Sequence, residues 1–309
     1  MSDSTAVAAV DCGTNSTRLL VVRASGEVAA REMRITRLGA GVDAARRLQT
    51  EAIARTLAVL EEYRSIMDVE QVNSVPLVAT SAVRDAENSE AFLEPASEMV
   101  GVRAEVLSGD EEGRVSYKGA TDDLPVIAGQ TVVIDIGGGS TEIVTLDDGA
   151  IAAISLDIGC VRLTERYLQS DPPTTNQIER ARGTIGVQLE RAAQQIPALA
   201  RLGSGDRLVG LAGTVSTLAS LELGLADYER DRIHHSVLRL ASVEKWCNVL
   251  GGERVRERAE RAAITSGRED VIFGGALVLK ETMLRFSFAE CVVSEADILD
   301  GLVLELRGG

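Results

Sequence analysis

With 309 residues, 45% of them hydrophobic and 26% charged, the chain is long enough to bury one large core or two ordinary ones. Its net charge of −15 argues against a general nucleic-acid binder or a protein docked on an anionic membrane surface. It does not argue against an anionic substrate, because salt screens repulsion beyond roughly 8–10 Å.

The opening "MSDSTAVAAV" has no basic start ahead of a long apolar run, so no signal peptide is expected. No apolar run reaches the roughly 18–20 residues of a membrane span, and no membrane association is expected. "TAVAAVDCG" and "STRLLVVRA" predict two strands joined by a polar turn, with a third around "EVAAREMRI". In "TEAIARTLAVLEEYRSIM", Ile53, Leu57 and Leu60 share one helical face, with Thr50 as the expected N-cap. "SVPLVAT" predicts a strand, residues 81–99 are helical in parts, and Gly101 is the expected stop. "VRAEVLS" predicts a strand, "GDEEGRVSYKGATDD" a helix, and "DLPVIAGQ" a linker. The strand–turn–strand pattern then restarts in "TVVIDIGGGSTEIVTL". Helices are predicted around residues 159–168 and 174–195, a strand in "RLVGLAG", and a helix from "TVSTLASL". The remainder is mostly helical until a strand in "ECVVSEA" and a last helix in "DILDGLVLEL". Mixed strands and helices indicate an α/β protein. The aromatic content of 3% predicts a core of Leu, Val, Ile and Ala. Cys12, Cys160, Cys247 and Cys291 form no CxxC pair and read as reduced, mostly buried thiols of a cytoplasmic protein.

The restart is a repeat. "VDCGTNSTRLLVV" and "IDIGGGSTEIVTL" share Asp-x-Gly-x-x-Ser-Thr, so Asp11, Gly13, Ser16 and Thr17 match Asp135, Gly137, Ser140 and Thr141. Two similar domains, each opening with a hairpin, are therefore expected. Glycines let backbone N–H groups approach an anion closely, and Ser and Thr add hydroxyl donors. An Asp at the mouth of the turn is placed to hold a divalent cation directly or through water. The second copy fits neither common phosphate loop. A dinucleotide-binding turn runs into a helix, whereas "STEIVTL" runs into a strand, and the stretch has no lysine for a P-loop.

Two further segments carry candidate chemistry. In "LSGDEEGR", Ser108 and Glu111 form a capping box, which gives Glu111 a structural task. Glu112 points about 100° away around the helix and is placed to face a site. Arg84 is expected in the first turn of the helix after "PLVAT". A cation there opposes the helix dipole, which suggests an anionic partner.

With these motifs in view, the chain resembles the actin-like ATPase superfamily, and within it the exopolyphosphatase/guanosine pentaphosphate phosphohydrolase (Ppx–GppA) family. The matching stretches are "DCGTNSTRLLV", "RLGAGVD", "ATSAVRDAENS", "VLSGDEEGRVSYKGA", "VVIDIGGGSTEIV", "GLAGTVSTLA", "VIFGGALVLKETM" and "VSEADILDGLVLEL". The resemblance implies an α/β fold of two actin-like (ribonuclease H-like) domains with an interdomain cleft. We expect them at residues 1–123 and 124–295, with the last helix, 296–309, packing back onto the first. It implies phosphoanhydride hydrolysis with Mg²⁺ or Mn²⁺, the family's general base matching Glu112. The expected metal ligands are Asp135, then Glu142, with Asp11 acting through water. The expected phosphate donors are Thr14, Asn15 and Ser16 in the first loop and Gly138, Gly139, Ser140 and Thr141 in the second, joined by Arg84. The expected activity is release of orthophosphate from inorganic polyphosphate. Hydrolysis of guanosine pentaphosphate and non-catalytic sensing of either ligand are the alternatives. The family also implies a homodimer.

Other features stay outside that assignment. "GLAGTVS" either binds a nucleotide or distal phosphates or closes its domain, and Arg18 has no settled role. His234 and His235 read as structural. Arg31, Arg34, Arg37, Arg46 and Arg47 read as a solvated face rather than a guide for a polyanion. "DILDG" stands where the family often has an arginine in a "GLREG"-like stretch, so a basic contact there is missing or replaced.

Overall fold

The computed structural model describes residues 5–308. The first four residues of the opening segment and Gly309, at the end of the last expected helix, lie outside it. The chain divides into two compact units, Met1–Gly119 with Ile298–Gly309, and Ala120–Asp297.

Unit 1 contains β1 (Val7–Cys12), β2 (Ser16–Val22), β3 (Val28–Ile35), α1 (Val42–Ala45), α2 (Thr50–Val69), β4 (Leu77–Ala79), α3 (Ser81–Asp85), α4 (Glu90–Val100), β5 (Ala104–Val106) and α5 (Gly109–Thr121), which runs into unit 2. Its sheet order is β3-β2-β1-β4-β5. The hairpin strands pair antiparallel, and β4 and β5 add in parallel after helical crossovers. Period-2 burial puts one face of β1 and β2 against α2 and α4 through Val10, Leu19, Leu60, Tyr63, Met67 and Phe92. The other face, through Ala9 and Leu20, meets Val115 of α5 and Leu299 and Leu302 of the last helix.

Unit 2 repeats the plan. It contains β6 (Thr131–Ile136), β7 (Thr141–Asp147), β8 (Ala150–Leu156), α6 (Cys160–Tyr167), α7 (Thr175–Gln195), β9 (Arg207–Leu211), α8 (Ala212–Leu223), α9 (Arg230–Ile233), β10 (Val237–Arg239), α10 (Leu240–Gly252), α11 (Val255–Ala259), α12 (Ile272–Arg285) and β11 (Glu290–Val293). The sheet order is β10-β11-β9-β6-β7-β8. From β8 to β11 this is the unit 1 order, hairpin strands antiparallel and crossover strands parallel. The duplication seen in two short motifs thus extends to both sheets, and each unit has the actin-like arrangement. The last helix, α13 (Ile298–Gly308), returns to unit 1. It approaches so closely that a Cβ on Gly301 would stand 2.1 Å from the Val115 carbonyl oxygen.

The core is aliphatic, as the composition requires. All four cysteines are free and buried, and burial pushes the Cys247 and Cys291 thiols up to about 12. Among the described residues, no helix is long and apolar enough to cross a membrane.

Three local expectations are corrected. Helix α2 starts at Thr50 itself, with Gln49 as N-cap and no capping side-chain hydrogen bond. Strand β8 lies where the sequence pattern predicts no element, although Asp148 and Gly149 before it take φ of 48° and 82°, the Asp-Gly hairpin turn that matches strand twist. Strand β10, three residues long, is too short to show a period.

Candidate active-site loops and their supports

The first loop lies between β1 and β2 and is held from behind. The Gly39 N–H donates to the Thr14 carbonyl (2.8 Å), and the Thr36 and Arg37 N–H groups donate to the Asn15 carbonyl (3.1 and 3.0 Å). Thr14 and Ser81 share a hydroxyl hydrogen bond of 2.8 Å. Gly39 must be glycine, since a Cβ there would come within 2.4 Å of the Thr14 methyl. With its carbonyls so engaged, the loop donates no backbone hydrogen bond from the Thr14 or Asn15 amide among the described residues. Asn15 is 6% exposed, and its Nδ2 makes no hydrogen bond among the described residues. A buried donor of that kind calls for an acceptor.

The second loop, between β6 and β7, is built the same way from different parts. The start of α6 donates to it: Cys160 N–H to the Gly137 carbonyl (2.9 Å), and Val161 and Arg162 N–H to the Gly138 carbonyl (2.9 and 3.1 Å). The Gly139 carbonyl accepts from Gly159 N–H (3.3 Å) and from Nε of the buried Arg162 (2.6 Å). A Cβ on Gly159 would sit 2.3 Å from the Gly138 oxygen. The amides of Gly138, Gly139 and Ser140 donate to no backbone carbonyl among the described residues. Both loops therefore have carbonyls tied back, while the Thr14, Asn15, Gly138, Gly139 and Ser140 amides donate to no backbone carbonyl among the described residues, a donor set suited to an anion.

The hydroxyls of the repeated threonines are engaged within the fold. Thr141 is fully buried, and its hydroxyl donates to the Ile158 carbonyl at 3.0 Å. Its counterpart Thr17 is bonded to Thr36 (2.9 Å), while the Thr17 carbonyl accepts from the Tyr63 hydroxyl (2.9 Å). Both hydroxyls belong to the fold, so among the repeated residues hydroxyl donation to a ligand falls to Ser16, half-buried, and Ser140, 2% exposed.

Strand register sets the charges beside each loop. Asp135 lies directly opposite Glu142, and Glu142 lies opposite Ser155, whose hydroxyl donates to Glu142 Oε1 at 2.6 Å. Both carboxylates are buried. Like charges directly opposed across a strand pair are unfavourable unless a cation or a proton relieves them. Two carboxylates with a hydroxyl in the same row are the hard oxygen set that suits a divalent cation. Asp11 occupies the matching position in unit 1 but faces Arg18. Arg18 Nε and Nη2 donate to its Oδ2 at 3.0 and 2.7 Å.

Helix α5 begins with the expected capping box. The Ser108 N–H and hydroxyl donate to Glu111 Oε2 (2.9 and 2.7 Å), and the Glu111 N–H donates to Ser108 Oγ (3.3 Å). These hydrogen bonds, side chain first and backbone second, hold the Glu111 carboxyl below its usual range. Glu112 turns away to meet Arg84, whose Nη1 stands 3.3 Å from its Oε2 and also donates to the Leu107 carbonyl (2.7 Å). The dipole argument for Arg84 is corrected, because α3 is only five residues long and Arg84 lies in its last turn. What places Arg84 is its contact with the capped start of α5.

The remaining candidates sort out by contact. Arg268 packs against Gly213, where a Cβ would come within 1.9 Å of its guanidinium, and Thr214 fills the space beside Gly275. This turn is tightly closed, and Ala212 at φ 66° opens it. His234 and His235, far from Asp123 in sequence, converge on it at 2.8 and 3.3 Å and form the one three-residue metal-type cluster among the described residues. The His234 Nδ1 accepts from the Glu295 amide (3.0 Å), so the neutral ring carries its proton on Nε2, facing Asp123. That nitrogen then has no lone pair for a metal. Arg31 is bound to Asp300 (2.5 Å), within "DILDG", and Arg34 to Glu32 and Glu62, so neither presents an unneutralised charge.

Gly39, Ser81, Ser155, Gly159 and Arg162 were not singled out from sequence. Gly39 and Ser81 lie within the matching stretches "RLGAGVD" and "ATSAVRDAENS", and Ser155, Gly159 and Arg162 face or follow the second repeated motif.

Paired hairpin–crossover sheets, each with an anion-type loop at the end of its first strand, define an actin-like phosphate-handling protein. The chain belongs to the Ppx/GppA phosphatase family, which residues 21–307 match. It is 42% identical over 320 residues to Exopolyphosphatase 2 of Mycobacterium tuberculosis, a match covering 98% of this chain and 99% of that protein. A solved exopolyphosphatase-like protein is 35% identical, with a TM-score of 0.90 over 98% of each chain. The Ppx/GppA family member of Aquifex aeolicus is 32% identical, with a TM-score of 0.79 over 98% of this chain and 97% of that one.

Proposed function

We propose that this protein is an exopolyphosphatase, which hydrolyses the terminal phosphoanhydride of inorganic polyphosphate and releases orthophosphate. The observation that carries the reading is the shared construction of the two loops, carbonyls tied back and amides left to donate. A polyphosphate chain presents acceptor oxygens along its length and no base or sugar to recognise. Full-length similarity to a protein named exopolyphosphatase supports the same choice.

In this reading Glu112 orients a water and takes its proton as the new O–P bond forms. The bridging P–O bond breaks in line with it, the shortened polyphosphate leaves, and one orthophosphate is released. Arg84, beside Glu112, presents its guanidinium to the terminal phosphate. Thr14, Asn15 and Ser16 in one loop, and Gly138, Gly139 and Ser140 in the other, donate to phosphate oxygens; Thr141 contributes by holding its loop in shape. Asp135 and Glu142 would hold Mg²⁺ or Mn²⁺. When bound, that ion supplies positive charge against the charge developing on the transferred phosphoryl group.

The test is orthophosphate release from polyphosphates of defined length, with guanosine pentaphosphate alongside, each in Mg²⁺ and in Mn²⁺. Release from polyphosphate at a higher kcat/KM supports the proposal. Faster turnover of guanosine pentaphosphate assigns the site to that substrate, and tight binding without turnover makes the protein a sensor.

A further inference from the structure

We propose that Arg162 is the built-in cation of the second loop: it aims two of the loop's amides and strengthens their hydrogen bonds to phosphate, without touching the ligand itself. That the loop receives phosphate rests on the function proposed above; the aiming is read from the geometry.

Arg162 holds two successive carbonyls. Its own N–H donates to the Gly138 oxygen at 3.1 Å, and its Nε donates to the Gly139 oxygen at 2.6 Å. The peptide bonds of this loop are trans, since the one cis bond among the described residues is Asp171–Pro172. A planar trans peptide sets its C=O and N–H on opposite sides. Fixing the Gly138 and Gly139 oxygens therefore directs the Gly139 and Ser140 N–H groups the other way. Neither amide donates to a backbone carbonyl among the described residues. The Gly159 N–H shares the Gly139 oxygen at 3.3 Å, so the tie has a neutral member, and Arg162 is its charged one.

The location of that charge points to an anion. Arg162 is 6% exposed and lies in the first turn of α6, which carries no acidic residue. A cation there is disfavoured by desolvation and by the helix dipole. Its neighbour Asp157 stands 3.8 Å from Nη2 with a side chain 64% exposed, where water screens it. The hydrogen bond to Gly139 offsets part of the cost, and an anion held on the far side of the loop offsets more. The same bond polarises the Gly139–Ser140 peptide, which makes the Ser140 N–H a stronger donor. Arg162 is thus a positioning residue.

The experiment is isothermal titration of orthophosphate into the unaltered protein and two variants. Arg162→Gln puts an amide nitrogen as many bonds from Cα as Nε, so it keeps the Gly139 tie without the charge. Arg162→Lys keeps the charge. Arg162→Gln should weaken orthophosphate binding by about 10-fold and Arg162→Lys by less than about 3-fold, with circular dichroism confirming that both are folded. Unchanged binding in Arg162→Gln, equal weakening in the two variants, or no binding to the unaltered protein overturns the proposal. Weakening of about 10-fold or more in Arg162→Lys overturns it even where Arg162→Gln fails to fold. Orthophosphate release from polyphosphate is measured on the same proteins. The expected binding pattern without turnover sinks the exopolyphosphatase reading and leaves this one standing; turnover with unchanged binding in Arg162→Gln does the reverse.

Discussion

Arg84 Nη1 lies between the Glu112 carboxylate, at 3.3 Å, and the Leu107 carbonyl, at 2.7 Å. One side chain thus ties the proposed base to the backbone beside its helix, and its Nε and Nη2 take no part in these bonds. A planar guanidinium can keep both contacts and still address a phosphate, which a point-charge ammonium cannot. Arg84→Ala is expected to lower kcat/KM on polyphosphate by about 100-fold, within the range for a lost charge-assisted contact. Arg84→Lys is expected to recover only a small part of that. Steady-state phosphate release on both variants checks it, and full rescue by lysine would contradict the bridging role.

Ser140 and Thr141 are neighbours with opposite tasks. Thr141→Val leaves the buried Ile158 carbonyl without its hydroxyl donor and should cost about 1–3 kcal/mol of stability, with KM little changed. Ser140→Ala should leave the urea midpoint nearly unchanged and raise KM. Denaturation curves and kinetics on the same two proteins would show the roles reversed if the serine were the structural member.

The glycine behind the second loop is a sharper probe than the glycines within it. A Cβ on Gly159 meets the Gly138 oxygen at 2.3 Å, and backbone cannot yield as a flexible side chain does. Gly159→Ala should cost about 1–3 kcal/mol and remove most of the phosphate release by shifting the loop amides. Gly39→Ala should act likewise on the first loop, through Thr14. A stable and fully active Gly159→Ala would mean that the loop's shape is not set from behind.

Glu111 yields a pH signature. Its carboxyl is lowered from an ordinary value of 4.5 by the Ser108 hydrogen bonds. A depressed carboxylate adds stability that is fully present above its unfolded value and is lost as pH falls through its folded value. The urea midpoint of Glu111→Ala should therefore fall below that of the unaltered protein at pH 7, and the gap should close in acid. A gap that widens on acidification would contradict the capping role.

Much of this is legible in the sequence. The Asp-x-Gly-x-x-Ser-Thr repeat located both hairpins because two apolar strands around a polar glycine turn have few other ways to fold. Ser108 and Glu111 announced their capping box by spacing alone. The pairing of Asp11 with Arg18 and of Asp135 with Glu142 lies in a seven-residue offset that only the register reveals. The convergence of His234 and His235 on Asp123, across 111 positions, has no local signal. Nor does the early end of α3, which removed the dipole argument for Arg84 and put an ion pair in its place. A hydroxyl in a phosphate-type motif, as at Thr141, reads as available in the sequence, and only the strand alternation shows it turned inward to the Ile158 carbonyl.

The central claim is that Glu112 activates the water, and one measurement bears on it directly. Glu112→Gln keeps the size and hydrogen-bonding shape of the side chain but cannot take a proton. Its rate of orthophosphate release from polyphosphate, under saturating substrate and Mg²⁺ or Mn²⁺, should fall by about 10²–10⁴-fold, the usual worth of a positioned general base, with the Mn²⁺ stoichiometry unchanged. A variant that releases phosphate at close to the original rate would contradict the account.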